Sequence, residues 1–247
     1  MSRTFEMLQR LEKEQEFGLS PSRVALAPPV KVEQHNGAKS VRVGDEEVLK
    51  LVQRIFRTSG QDAPRLVVFS AVGHGDGATW ISTSAATTLA AQGTASICIV
   101  DANLRTPSLH NYFGIENRVG WADAISQPGT MRTFAQQIAG SNLWVLPSGS
   151  PESAGAISSE GLRSRMADLR NEFDYVLIDA PPANLYADAI SLGRLSDGII
   201  LVLQSNTTRR EAALKAKESF EAANVRLLGA VLNKRTFPIP QNLYDRL

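Results

Sequence analysis

The sequence predicts an α/β protein built on a doubly wound, mainly parallel sheet. Three observations predict it. After Pro64, short β-rich runs alternate with helical ones. Most of the β-rich runs are nearly unbroken apolar segments, as parallel strands covered on both faces require. Small, acidic and amide residues gather just after those runs, where open α/β sheets take up ligands.

Taken in order, residues 4–16 place Phe5, Leu8 and Leu11 at three-residue spacing, with Arg10, Glu12, Lys13 and Glu14 on the other faces. This predicts a short docking helix. Residues 18–44 keep no period, and Ser20, Pro21, Pro28, Pro29, Asn36 and Gly37 mark a linker or surface arm. Residues 45–57 form an amphipathic helix with Val48, Leu51, Val52 and Ile55 on one side. The expected division is therefore a helix and arm over residues 1–44 and a nucleotide-type domain over residues 45–247. Within that domain the predicted strands are residues 66–70, 95–101, 143–147, 175–179, 198–204 and 227–233. The main helices between them are residues 79–91, 160–171 and 209–223, giving right-handed crossovers.

Composition excludes several classes of function. The 247 residues carry a net charge of +1, so no global field points to nucleic acid or to an acidic membrane surface. No run approaches the ~18 apolar residues of a membrane span, and the charged opening lacks the apolar core of a signal peptide. A soluble, cytoplasmic protein is expected. The single cysteine, Cys98, lies inside the apolar run 96–100 and reads as a small core residue. His35, His74 and His110 have no zinc-ligand spacing, and no Gly-x-Ser-x-Gly elbow anchors a hydrolase triad. Arg209 and Arg210 read as a solvated face, and Trp80, Trp121 and Trp144 as packing.

The chemistry lies at the strand ends. The first strand runs into Ser70-Ala-Val-Gly-His-Gly-Asp-Gly-Ala-Thr79 and then a helix, the layout of a phosphate cradle. Against G-x-x-x-x-G-K-[ST], Gly77 and Thr79 match, Val72 takes the first glycine position, and Ala78 stands where the lysine belongs. Alone, such a turn is as well explained by loop geometry. Two further strands end in Asp101 and Asp179, and acids closing apolar strands beside a phosphate loop commonly hold Mg²⁺ through water. The last strand ends in Asn233-Lys234, where an amide suits the edge of a purine base. Each of these residues also has an ordinary role as a turn or cap.

In this order the segments resemble the bacterial tyrosine autokinases (BY-kinases) of capsule and exopolysaccharide synthesis, MinD/ParA-like members of the P-loop NTPase superfamily. The resemblance rests on Asp101-Ala-Asn-Leu-Arg-Thr-Pro, Leu109-His110, Phe113-Gly114, Leu146-Pro-Ser-Gly149 and residues 173–182 and 231–234. The opening Met-Ser-Arg-Thr-Phe-Glu-Met-Leu-Gln-Arg is also similar to the first helix of free-standing members. It implies that Gly75, Asp76, Gly77, Ala78 and Thr79, with Trp80 behind them, bind the ATP phosphates. It further implies Mg²⁺ on Thr79 and Asp101, catalytic roles for Asp101 and Asp179, and adenine contact by Asn233. The departures are as informative. Ala78 replaces the phosphate-binding lysine, Asn103 replaces a second acid, and residues 238–247 offer only Tyr244 in place of a tyrosine cluster. The family's self-association motif Glu-x-x-Arg-x-x-Arg survives only as Glu47, Lys50 and Gln53.

Losing a charge-assisted bond to phosphate costs about 1.5–3 kcal/mol, or roughly one to two decades of affinity. Losing charge stabilisation at the reacting centre costs about 10²–10³ more in rate. Transfer is therefore expected to fail before binding. The expected protein is a degenerate BY-kinase-like regulator of polysaccharide export, with ATP or ADP and Mg²⁺ held weakly or not at all. It would dock on the cytoplasmic segment of a membrane chain-length regulator, or on a related kinase, at the inner face of the plasma membrane. Self-association into a homo-oligomer is a further expectation. The alternative is an active ATP-dependent protein-tyrosine autokinase using another cation, such as His74 or Arg105. A MinD/ParA-like positioning ATPase is the third reading, disfavoured by Gly73 where a lysine opens those loops.

Overall fold

The computed structural model describes residues 43–56, 63–150 and 159–235. The expected helix at 4–16, the arm as far as residue 42 and the tail with Tyr244 lie outside the described residues. Helix α1 (Val43–Phe56) precedes the alternating part of the chain. There follow β1 (Leu66–Ala71), α2 (Ala78–Ala90), β2 (Ile97–Asp101), α3 (Leu109–Phe113), α4 (Trp121–Ser126), α5 (Met131–Phe134), β3 (Gln136–Gln137) and β4 (Leu143–Leu146). The chain continues through α6 (Ser159–Glu172), β5 (Tyr175–Ala180), α7 (Asp188–Gly193), β6 (Gly198–Gln204), α8 (Arg210–Ala222) and β7 (Leu227–Asn233).

The strands form one sheet in the order β3-β4-β2-β5-β1-β6-β7. Every neighbouring pair is parallel except β3 with β4. Because β1 lies between β5 and β6, the winding reverses there, and the carboxyl end of β1 opens a crevice for ligand. Period-two alternation sends successive strand residues to opposite faces. Val68, Cys98, Val100, Ile178 and Leu201 meet Trp121, Met131, Met166, Leu192 and Phe220 on one side. Val67, Phe69, Ile97, Ile99, Leu177 and Ile200 meet Val52, Phe56, Ile81, Ala85 and Leu89 on the other. Cys98 is fully buried, and burial pushes its thiol pKa up, which leaves it an inert apolar filler.

The differences from expectation have local causes. β2 starts at Ile97 because Ser96 is drawn out of the strand to bind Asp174 through both its N–H (2.7 Å) and its hydroxyl (2.8 Å). Antiparallel β3 and short helices α3, α4, α5 and α7 span two to six residues each, too little for a period to show. Trp121 is buried as expected, and Trp144 packs on Phe173 with ring centroids 6.1 Å apart. Trp80 is not packing: it is 41% exposed. Its helix turns Ala78, Ile81, Ser82, Ala85, Ala86 and Leu89 inward, and Trp80 falls on the opposite face. No helix among the described residues is long and apolar enough to cross a membrane.

Candidate functional site

The loop between β1 and α2 is shaped by glycine and by one inward-turned acid. Gly75 and Gly77 adopt φ of 81° and 98°, in the left-handed region that side chains disfavour. A Cβ on Gly77 would also stand 2.1 Å from Asn233 Nδ2, so close approach adds a second demand for glycine. Asp76, expected to line the phosphate site, is buried; its Oδ2 accepts from the Gly73 N–H (3.0 Å) and the Thr208 hydroxyl (3.2 Å). It staples the loop from within. No side chain caps α2 and no acid occupies its first turn, so the leading N–H groups of the helix are left open at the crevice.

Thr79 links this loop to the acids. Its hydroxyl donates to Asp179 Oδ2 at 2.7 Å. Asp179 lies directly opposite Asp101 in the β2–β5 register, and both are almost fully buried. Asp179 Oδ1 has no hydrogen-bond partner. Burial pushes the Asp179 pKa well above the ordinary carboxylate value, and the Asp101 charge pushes it the same way, against the Thr79 hydrogen bond. Asp101 is also raised by burial, although it accepts N–H bonds from Leu109 (3.0 Å), Ser108 (2.9 Å) and Asn103 (3.3 Å). Half-buried Tyr112 has its phenol pKa raised by burial and by the Asp179 charge. The Asn103 amide is occupied in a turn, donating to Thr106 Oγ1 (3.0 Å) and accepting from Thr106 N–H (3.3 Å).

The end of β7 closes on the loop through two successive residues. Asn233 Nδ2 donates to the Asp76 carbonyl at 2.9 Å, and Oδ1 accepts the Lys234 N–H at 2.8 Å. One hydrogen and one acceptor position of the expected adenine reader are thus committed to the protein's own backbone. Lys234 reaches back so that Nζ lies 2.6 Å from the Gly75 carbonyl and 3.3 Å from Gln204 Oε1. This cation beside the loop was visible in sequence only as the residue after Asn233. His74 and Arg105 instead flank Tyr186, the arginine 4.2 Å above its ring and the histidine edge-on at 6.1 Å. Arg105 also pairs with Asp188 at 3.4 Å. Position 78 contributes only a methyl group, 7% exposed and part of the apolar layer under α2.

The residues fit a magnesium-bound nucleotide in part. A buried, unpartnered carboxylate oxygen on Asp179, the Thr79 hydroxyl and the Asp101 carboxylate are hard oxygen donors of the kind Mg²⁺ takes. Among the described residues no group of three His, Cys, Asp or Glu could hold a metal alone. The remaining positions would fall to phosphate oxygens and water, as is usual for Mg²⁺.

A parallel sheet whose switch point carries a glycine loop, an open helix N-terminus and a threonine bonded to a strand-end aspartate defines a P-loop NTPase of the MinD/ParA type. Solved structures agree. The chimerical protein CapA2B2 is similar with a TM-score of 0.70 and 26% identity, over 78% of this chain and 85% of that one. MinD from Pyrococcus horikoshii OT3, complexed with Mg-ADP, shares the fold with a TM-score of 0.60 at 20% identity, over 73% and 76%. The family described as cellulose biosynthesis protein BcsQ matches residues 65–225. The tyrosine-protein kinase YwqD of Bacillus subtilis (strain 168) is 34% identical over 64% of this chain and 68% of its own. The tyrosine-protein kinase CpsD of Streptococcus agalactiae serotype III (strain NEM316) is 29% identical over 76% and 82%. The chain belongs to the BY-kinase family, which is linked to capsule and exopolysaccharide biosynthesis.

Proposed function

We propose that this chain is a regulatory BY-kinase homologue in capsule or exopolysaccharide biosynthesis, one that retains a nucleotide cradle and transfers phosphate poorly or not at all. The observation that carries this reading is the contrast within a single loop. Thr79, Asp179 and Asp101 are assembled, whereas Ala78 presents a buried methyl group. On this reading the N–H groups of residues 75–80 receive the phosphates, Asn233 uses its remaining hydrogen and acceptor position on adenine, and Thr79 and Asp101 face Mg²⁺. The metal, when bound, neutralises phosphate charge; Asp179 orients the hydroxyl of Thr79 and stands ready to accept a proton. Residues 1–44 would form a helix and arm outside the nucleotide domain of residues 45–247. The likeness to the chimerical CapA2B2 supports docking on the cytoplasmic segment of a membrane chain-length regulator, which would bring the chain to the inner face of the membrane.

The second reading, an active autokinase, is favoured by one observation: the Lys234 ammonium already lies beside the loop. The two separate in one assay. The full chain is incubated with ATP and Mg²⁺, alone and with the partner segment, and phosphotyrosine is measured by mass spectrometry. The regulatory reading expects none above an Asp179→Asn control. Incorporation that depends on Asp179 establishes the kinase.

A further inference from the structure

The end of β7 does more than supply a base contact. Two successive carbonyls of the phosphate loop, those of Gly75 and Asp76, are held by Lys234 and Asn233. A trans peptide sets its C=O and N–H on opposite sides. Fixing those carbonyls against β7 therefore turns the N–H groups of Asp76 and Gly77 away from the strand, into the concave side of the loop. Lys234 takes φ of 55°, a conformation that side-chain-bearing residues seldom adopt. The fold sustains it with Lys234 N–H on Asn233 Oδ1 and Ser205 N–H on the Asn233 carbonyl, both at 2.8 Å.

We propose that Lys234 is a positioning residue for anion binding: from behind the loop it orients the phosphate-facing amides and supplies a positive charge that Ala78 does not. The inference rests on the nucleotide-cradle reading for its ligand and on the hydrogen bonds alone for its clamp. The charge stays on the far side of the backbone, so it strengthens binding without entering the reaction centre. The ammonium is exposed, so its share of binding weakens with salt.

The test uses the full chain with substitutions Lys234→Ala, Lys234→Arg and Lys234→Gln, each checked by thermal melting. ADP is titrated calorimetrically at two salt concentrations, and NMR order parameters of the residue 75–78 amides are measured without ligand. In Lys234→Ala, the dissociation constant should rise about tenfold, the salt dependence should shrink, and the loop order parameters should fall from about 0.85 to below about 0.6. Arginine should restore the dissociation constant to within about threefold and the loop order with it. Glutamine, which keeps an N–H donor without charge, should restore loop order and leave affinity weak. Wild-type loop order and affinity in Lys234→Ala would overturn the proposal, and lower order with unchanged affinity would overturn its electrostatic half. If the wild type binds no ADP at any concentration, the nucleotide-cradle reading fails, and loop order alone decides the clamp.

Discussion

The two ends of the sheet treat their aspartates in opposite ways. At the amino ends, Asp197 and Asp174 are consumed by the fold. Asp197 accepts from the N–H groups of Arg65 (2.7 Å) and Leu66 (2.8 Å) and pairs with Arg170 at 2.8 Å. Burial pushes its pKa up, but the Arg170 hydrogen bond and the two N–H groups outweigh it and hold the carboxyl below its ordinary value. Asp174 is likewise lowered, chiefly by the Ser96 N–H and then by the Ser96 hydroxyl. At the carboxyl ends, Asp101 and Asp179 face each other in the dark of the core, both raised, with one Asp179 oxygen unpartnered. Burial without a counter-charge is costly for an ionised carboxyl, and burial is the leading reason that both pKa values rise. The fold satisfies the acids at the amino ends, whereas at the carboxyl ends Asp179 keeps an unpartnered oxygen.

The largest expected effect breaks the satisfied end. Asp197→Ala orphans two backbone N–H groups and a guanidinium, and should cost about 2–3 kcal/mol. Thermal melting should fall by roughly 4–12 °C for a chain of this size. Because Asp174 and Asp197 are lowered in the folded state, their stabilisation is complete above the unfolded carboxylate pKa of about 4. It is lost as pH falls through their folded values. Chemical denaturation between pH 6 and pH 3 should therefore show Asp197→Ala converging on the wild type in acid.

The second effect has the opposite sign. Asp179→Asn keeps an acceptor for Thr79 and removes the cost of burying an ionisable group beside Asp101. It should raise stability at neutral pH by about 1–2 kcal/mol. Asp179 is raised on folding, so the folded chain holds its proton more tightly than the unfolded chain does. Wild-type stability therefore drains away as pH rises from about 4 toward the folded pKa. The gain from asparagine should grow over that interval and vanish in acid, as read from denaturation midpoints. A destabilised Asp179→Asn would mean that the two ends of the sheet are not different in kind.

Much of this was legible in the sequence. Apolar runs placed six of the seven strands, two of them (β6 and β7) to the residue; the inner strands are buried on both faces, whereas edge strand β7 keeps its apolar run with Leu232 exposed. The pair Asp101 and Asp179 was likewise legible, since each closes such a run. What stayed hidden depends on side-chain direction. Asp76 reads only as one residue of the phosphate loop, and nothing in the sequence shows its carboxylate turned inward onto Gly73 and Thr208. Trp80 reads as packing and is exposed, because one helical position decides its side. Lys234 follows a residue with an evident role, and only its left-handed backbone sends the ammonium back to Gly75.

The most direct test of a cradle intact but short of one charge is calorimetric titration of the full chain with ADP and Mg²⁺, wild type against Ala78→Lys, with melting to confirm that the lysine is tolerated. The account predicts weak wild-type binding that tightens about ten- to a hundredfold in the variant. A folded Ala78→Lys that binds no more tightly than the wild type would contradict it.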